Sequence, residues 1–136
     1  MKKVILNPKG VHAAPSDYSH ACKVEGKKML FVSGQVPIDE SGNLVGRGDL
    51  RAQLKQCLDN MKVVLEAAGA SLTNIVQTMT FLRDSENVVQ RFWEIRKELF
   101  PQYFPDGVYP VSTLLVVSSL YREDVLVEYQ AVAVID

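Results

Sequence analysis

The C-terminal part of the chain contains two apolar runs, residues 114–117 and 125–134, separated by a polar segment. Both are short and rich in β-branched residues, so they predict two strands, which we interpret as a closing strand pair. Strand alternation in the second run places Glu128 on the face opposite Tyr129. A carboxylate within an apolar strand is paired with a cation, exposed at a shared surface or functional. Glu128 therefore constrains both the fold and the function.

The composition predicts one globular domain, residues 1–136, with 47% hydrophobic and 23% charged residues. The net charge is −1, and no basic run is longer than the pairs Lys2-Lys3 and Lys27-Lys28, which argues against a nucleic-acid partner. No segment approaches the about 20 apolar residues of a membrane span, and the apolar stretch after the charged N-terminus is too short for a signal peptide. Cys22 and Cys57 show no metal-site or redox spacing. We expect a cytoplasmic protein.

The hydrophobic periodicity predicts the element order β-β-β-α-β-α-β-β. Gly26 fits a tight hairpin that pairs the second strand with the third. The predicted elements before the closing strand pair are strands Val4–Leu6, Tyr18–Val24 and Met29–Val36, a helix capped by Asp49 and ended by Gly69, strand Ile75–Arg83, and a helix capped by Asp84 or Ser85 and ended by Pro101.

Two helices can cover only one face of a sheet of five or six strands. The strands carry apolar residues at both parities, as in the run Met29–Val32, so the uncovered face is also apolar. An apolar face of this size marks an interface, and we therefore expect a homo-oligomer.

Three positions have more than one interpretation. Gly34, late in its strand, marks a β-bulge or the close approach of another group to the backbone. Glu128 is either a partly desolvated general base or one half of an interfacial ion pair. His20 and Tyr18 share a strand face and form either a proton-transfer pair or ordinary packed residues. His12 has no partner at an informative spacing, and no known catalytic motif is present.

Several stretches together resemble the reactive-intermediate deaminase (Rid, or YjgF-like) family. The resemblance runs from about Tyr18 to the C-terminus. Its motifs are Tyr18-Ser19-His20-Ala21, the run Leu30–Pro37 reading LFVSGQVP, Gln53 with Asn60 on the first helix, and Glu128-Tyr129-Gln130-Ala131-Val132-Ala133.

The resemblance implies a chorismate-mutase-like fold and a homotrimer with ligand clefts between subunits. In active members these clefts hydrolyse imines or enamines to ammonia and a keto acid, without metal or cofactor. Glu128 matches the glutamate that positions water and Tyr18 the pocket tyrosine. Ser33 and Gly34 match the backbone wall of the pocket.

The family's substrate-binding arginine does not carry over. The usual P-A-R-[ST] stretch reads Pro110-Val111-Ser112-Thr113, so Ser112 takes the place of the arginine, and Trp93 takes that of an asparagine on the second helix. Losing such a bidentate contact costs on the order of 2–5 kcal/mol. Ser112 and Thr113 then remain to orient a smaller or uncharged ligand. The candidates for a replacement cation are Arg83, Arg96 and Arg122.

The sequence thus predicts a cofactor-free imine or enamine hydrolase with altered substrate choice. The alternative is a non-catalytic trimer whose clefts bind a small metabolite. RNA cleavage has also been attached to the family, but the net charge, the lack of a basic stripe and the absence of a paired-histidine pattern speak against it.

Overall fold

The computed structural model describes residues 1–13 and 18–136. Six strands and two α-helices follow one another in the predicted order, which confirms the α+β class. The elements are β1 Lys2–Leu6, β2 Ala21–Glu25, β3 Lys28–Gln35, α1 Leu50–Ala67, a 3₁₀ helix Leu72–Asn74, β4 Ile75–Arg83, α2 Val88–Tyr103, β5 Val111–Val117 and β6 Val127–Ile135.

Strands β3 to β6 form one sheet in the order β3-β6-β4-β5. The strand β6 pairs antiparallel with both β3 and β4, whereas β4 and β5 pair in parallel. A parallel pair needs a long crossover, and α2 supplies it between β4 and β5. The predicted closing strand pair is therefore wrong, because β4 lies between β5 and β6 in the sheet.

Strands β1 and β2 form a separate antiparallel ribbon in which Leu6 lies opposite Ala21. The predicted hairpin between β2 and β3 is wrong. Within residues 1–13 and 18–136, β3 pairs only with β6, and its other edge carries no strand. A two-residue hairpin loop that begins with glycine needs a positive φ there. Gly26 does not have one, and it packs so closely on Val134 that a Cβ would overlap that side chain.

The β1–β2 ribbon lies across one end of the four-stranded sheet. Ser19, just before β2, forms a bridge with Val111 at the start of β5. The N–H of Lys27, just after β2, donates to the carbonyl of Ile135 at the end of β6, at 3.1 Å. Between these points Lys3 Nζ donates to two backbone carbonyls beside β4. No residue of either ribbon strand is buried, so few apolar contacts hold the ribbon in place.

Helices α1 and α2 cover one face of the four-stranded sheet, as predicted. The predicted alternation of β6 is confirmed too. Its helix-facing residues are no more than 2% exposed: Val127, Tyr129, Ala131 and Ala133. The helix α1 contributes seven buried residues to this core: Leu50, Gln53, Leu54, Cys57, Leu58, Met61 and Leu65.

Both predicted ends of α1 are confirmed. The side chain of Asp49 accepts a hydrogen bond from the Ala52 N–H at 3.0 Å, and Gly69 follows the helix with φ of 72°.

Both predicted ends of α2 are wrong. The residue before the helix is Asn87, in the left-handed conformation, and no side chain caps the helix there. Pro101 lies inside the last turn, which continues to Tyr103. A proline so near the C-terminal end removes a single backbone hydrogen bond. The buried Phe104, whose N–H donates to the Phe100 carbonyl, anchors the segment that follows.

The other face of the sheet is open. Met29 is 63% exposed and Phe31 is 73% exposed. Half-buried Met79, Phe81 and Leu115 continue the same face across β4 and β5. The predicted uncovered apolar face is therefore present. Within the described ranges, no helix is long and apolar enough to cross a membrane.

We expect Asp49→Ala to lower the free energy of unfolding by about 1 kcal/mol, since it removes the acceptor of the Ala52 N–H. Urea titration followed by circular dichroism measures this. Asp49→Asn keeps an equivalent acceptor and should cost no more than a few tenths of a kcal/mol. An equal loss for both variants would contradict the capping role.

Candidate functional site

Glu128 lies on the open face of β6, half-buried and directly opposite Phe81. No residue within 1–13 and 18–136 donates a hydrogen bond to its carboxylate or pairs with it as a cation. Within one chain, Glu128 therefore has no ion-pair partner among the described residues. The oxygens of the Glu128 carboxylate can therefore accept hydrogen bonds from a ligand or water on this apolar face.

The Glu128 carboxylate lies against the backbone of Gly34, which has no side chain to displace it. The pairing of β3 with β6 shifts register between Val32 and Gln35, so a bulge is present there. A Cβ built on Gly34 would overlap the Glu128 carboxylate. The bulge interpretation of Gly34 is therefore confirmed, and the group that approaches its backbone in this structure is the Glu128 side chain. We call Ser33, Gly34 and Glu128 the glutamate cluster.

The remaining predicted site residues lie elsewhere. Ser112 is opposite the buried Thr78, so it shares the helix-covered face and points away from Glu128. Thr113 is on the open face of β5, the second strand away from β6. The β5 residue in line with Glu128 is Leu115, and Thr113 lies two residues before it. Tyr18 precedes Ser19, which bridges to the start of β5. A single chain therefore does not bring Tyr18, Ser112 or Thr113 to the glutamate cluster.

Tyr18 has a partner that the sequence did not reveal. Its hydroxyl lies 2.8 Å from His12 Nε2, whereas His20 Nε2 bonds the backbone carbonyl of His12 at 2.7 Å. The rings of Tyr18 and His20 pack edge to face, 5.8 Å apart, whereas the hydrogen-bond partner of the Tyr18 hydroxyl is His12. The two imidazole rings lie 4.7 Å apart, so the expected absence of paired histidines is also wrong. Both histidines lie in irregular segments, where no periodic pattern signals proximity.

A groove of about 320 Å³ opens beside Tyr18. It lies between the β1–β2 ribbon and the segment that leads into β5, and its lining residues are Ile5, Asn7, Tyr18, Ser19, Gly107, Val108 and Tyr109.

Gln53 and Asn60, the helix residues of the family motif, hold the segments around the glutamate cluster. Gln53 Nε2 donates to the carbonyls of Gly46 and Asp124, and its Oε1 accepts from the Leu126 N–H just before β6. Asn60 Nδ2 donates to two backbone carbonyls just after β3. These contacts fix the strand ends that carry Gly34 and Glu128.

The three candidate arginines have different surroundings. Arg96 is a buried residue of α2, and the rings of Phe92 and Phe100 lie 5.5 and 5.2 Å from its guanidinium carbon. Arg122 binds Asp124 through two nitrogens, at 2.9 and 2.6 Å. This contact holds the pKa of the Asp124 carboxyl below its usual value.

Arg83 lies two residues beyond Phe81 on β4, so it shares the open face and the sheet end with the glutamate cluster. Its Nη1 donates to the Glu123 carbonyl at 2.6 Å. Trp93, in contrast, is 51% exposed in a groove with Val116 on the helix side of β5.

The Gly34–Glu128 contact predicts a specific coupling. Gly34→Ala should lower the free energy of unfolding by about 1–3 kcal/mol, because the added methyl overlaps the carboxylate. In a Glu128→Ala background most of that loss should disappear, and a double-mutant cycle by urea unfolding measures the difference. Equal costs in both backgrounds would show that the loss has another origin.

Known proteins of similar sequence and structure identify the family of this chain. The family model described as "Endoribonuclease L-PSP" matches residues 11–135. A RutC family protein of Pyrococcus horikoshii is 34% identical over 136 residues, covering 98% of each chain. The 3-aminoacrylate deaminase RutC of Acinetobacter baylyi is 30% identical, again over 98% of each chain.

Among solved structures, a Rid family protein of Yersinia pestis superposes with a TM-score of 0.88 at 29% identity, covering 99% of this chain and 100% of the other. A Thermotoga maritima protein described as a putative endoribonuclease, 34% identical and covered over 99% of its length, reaches only 0.68. Other solved relatives of 26–30% identity score 0.63–0.69. The chain belongs to the Rid (YjgF) family.

Proposed function

We propose that this protein is a cofactor-free hydrolase that deaminates reactive imines and enamines, with Glu128 as the residue that positions and activates water. The observation that carries the proposal is the Glu128 carboxylate, half-buried beside Gly34 on an apolar face and without a partner among the described residues. The 30% identity to a 3-aminoacrylate deaminase supports the reaction class.

The chemistry requires a carboxylate and little else. Glu128 accepts a proton from water while the water oxygen attacks the carbon of the protonated imine, which gives a neutral carbinolamine. Glu128 then returns this proton to the nitrogen. As the C–N bond breaks and ammonia leaves, the hydroxyl proton passes to Glu128 and the C–O bond becomes the carbonyl. One water is consumed per imine, and no oxidant or reductant takes part. An enamine enters the same route after protonation at carbon.

The proposed site lies between subunits of a homotrimer. Ser112 faces the helices and Glu128 faces the open side of the sheet, so a cleft that contains both needs two copies of the chain. The exposed side chains of Met29 and Phe31 supply apolar area for that contact. We propose that the trimer acts in the cytoplasm, in keeping with the two free thiols of Cys22 and Cys57.

Substrate choice follows from Ser112. Without an arginine fork, an imine that carries a carboxylate loses a contact worth on the order of 2–5 kcal/mol. The hydroxyl of Ser112, or that of Thr113 on the opposite face of β5, is suited to a hydrogen bond with a smaller or uncharged substrate. We therefore propose that imines without a carboxylate are hydrolysed in preference to imines derived from amino acids.

A non-catalytic trimer that binds a small metabolite is the second candidate, and Ser112 favours it because the substrate anchor is absent. RNA cleavage is not proposed. The rings of His12 and His20 are close, but the net charge is −1 and the sequence lacks the basic stripe that RNA binding requires.

We expect Glu128→Gln to reduce ammonia release from freshly generated imines by about 10²- to 10⁴-fold, because the amide cannot accept the proton from water. A coupled assay for ammonia measures this. Glu123→Gln removes an exposed carboxylate outside the site and should keep the wild-type rate.

Equal rates for wild type and Glu128→Gln would contradict the role of Glu128. If no imine, with or without a carboxylate, is hydrolysed above the buffer rate, the protein is not a deaminase. Ligand-dependent thermal shifts without turnover would then establish the second candidate.

Light scattering should give wild-type particles of three times the 15.2 kDa chain mass. Phe31→Glu should lower that mass, because it places a charge on the open face where Phe31 is 73% exposed. Val63→Glu makes the same change at a 65% exposed valine on α1 and should leave the mass unchanged. A monomeric wild type, or equal effects of both variants, would contradict assembly through the open face.

A further inference from the structure

Arginines from separate segments of the chain meet at the loop between β5 and β6, at the sheet end that carries Glu128. Two of them, Arg47 before α1 and Arg122 in the loop itself, contact one carboxylate, that of Asp124. We call Arg47, Arg122 and Asp124 the arginine clamp. We propose that this clamp binds a phosphate group, a ligand distinct from the proposed imine substrate.

Both guanidinium groups of the clamp contact the same oxygen atom. Asp124 Oδ2 lies 3.2 Å from Arg47 Nη2 and 2.6 Å from Arg122 Nη2. Arg122 Nε also donates to Asp124 Oδ1, at 2.9 Å. The two cations are therefore neighbours, and one carboxylate does not neutralise both. A guanidinium carries five N–H groups, so each arginine keeps donors for a second anion.

The buried side chain of Gln53 holds the two segments that form the clamp. Its amide nitrogen donates to the carbonyl of Gly46, which precedes Arg47, and to the carbonyl of Asp124. Its amide oxygen accepts a hydrogen bond from the Leu126 N–H. One buried residue thus fixes the backbone on both sides of the clamp. A preformed site loses less conformational entropy when a ligand binds to it.

The clamp is accessible from solvent and positively charged. The Arg47 side chain is 74% exposed, whereas that of Asp124 is 18% exposed. Two guanidinium groups and one carboxylate leave one net positive charge. The neighbouring Arg83, which donates to the Glu123 carbonyl, and the Glu123 carboxylate leave this balance unchanged. The clamp is therefore a positive site on a chain whose net charge is −1.

The donors of the clamp suit a phosphate group better than a carboxylate. They belong to two guanidinium groups from different segments, so the ligand needs acceptor oxygens that point in more than one direction. A phosphate group has three such oxygens and carries nearly two negative charges at neutral pH. A carboxylate has two oxygens in one plane and a single charge. Arginine is favoured at phosphate sites because its planar fork bonds two of the oxygens at once.

Calorimetric titration of the wild-type protein with inorganic phosphate tests the proposal without reference to turnover, so its outcome is independent of the deaminase assay. With sodium chloride holding the ionic strength constant, we expect saturable binding of one phosphate per chain. Arg47→Gln should weaken this binding by about tenfold or more, because it removes one of the two guanidinium groups. The Arg47 side chain is largely exposed, so the variant should keep the fold, which circular dichroism verifies.

Two controls separate the clamp from general charge. Arg91→Gln makes the same change at an exposed arginine of α2, outside the clamp, and should keep the wild-type affinity for phosphate. Acetate, titrated in the same buffer, should bind the wild-type protein at least about tenfold more weakly than phosphate, because it offers fewer oxygens and less charge.

A titration with glycerol phosphate identifies the source of the phosphate group. Binding at least as tight as that of inorganic phosphate assigns the clamp to phosphate esters, whereas weaker binding assigns it to free phosphate. The absence of saturable phosphate binding to the wild-type protein would overturn the proposal. Equal weakening by Arg47→Gln and Arg91→Gln, or equal affinity for acetate and phosphate, would overturn it as well, because the clamp would then act only as a structural ion pair.

Discussion

The packing of α1 against the inward face of β6 is the contact on which the rest of the structure depends. Ala131 and Ala133 let the helix approach the sheet closely, and Tyr129 fills the space beside them without exposure. Because α1 and α2 are both used on this face, the opposite face keeps its apolar side chains uncovered. The alternation of β6 from Val127 to Ala133 then places Glu128 on the uncovered side. One strand thus provides both the centre of the core and the charged residue of the site.

The buried polar contacts of α1 convert this packing into a defined site. Gln53 is fully buried, and both ends of its amide are bonded to backbone groups around the start of β6. A buried amide left without partners is costly, so these bonds fix the chain on either side as well as satisfying the side chain. Asn60 does the same after β3. The strand ends that bring Gly34 and Glu128 together are therefore held from the helix side of the sheet.

Apart from the two ends of α2, the sequence predicted the features that local chemistry determines and missed those that distant pairing determines. The periodicity of α1, its Asp49 cap and the inward face of β6 are local signals, and all were correct. Strand partners are chosen across the whole chain, so both predicted neighbouring pairs, β2 with β3 and β5 with β6, were wrong. The site shows the same division. Glu128 and Gly34 were singled out by their residue types, whereas the contact of His12 with Tyr18 arises between irregular segments and left no pattern.

The charges around Glu128 decide which substrates the proposed site accepts. Two unit charges 4 Å apart interact by about 4 kcal/mol at the effective dielectric constant of a protein surface. A substrate carboxylate near Glu128 meets that repulsion, and an arginine at position 112 would offset it. Ser112 carries no charge and does not offset the repulsion. Arg122 is bound to Asp124, and Arg83 donates a hydrogen bond to the Glu123 carbonyl. The same field attracts a protonated imine that has no carboxylate. We therefore propose that Ser112 in place of the family arginine moves the substrate preference away from imines that carry a carboxylate, while Glu128 is kept to activate water.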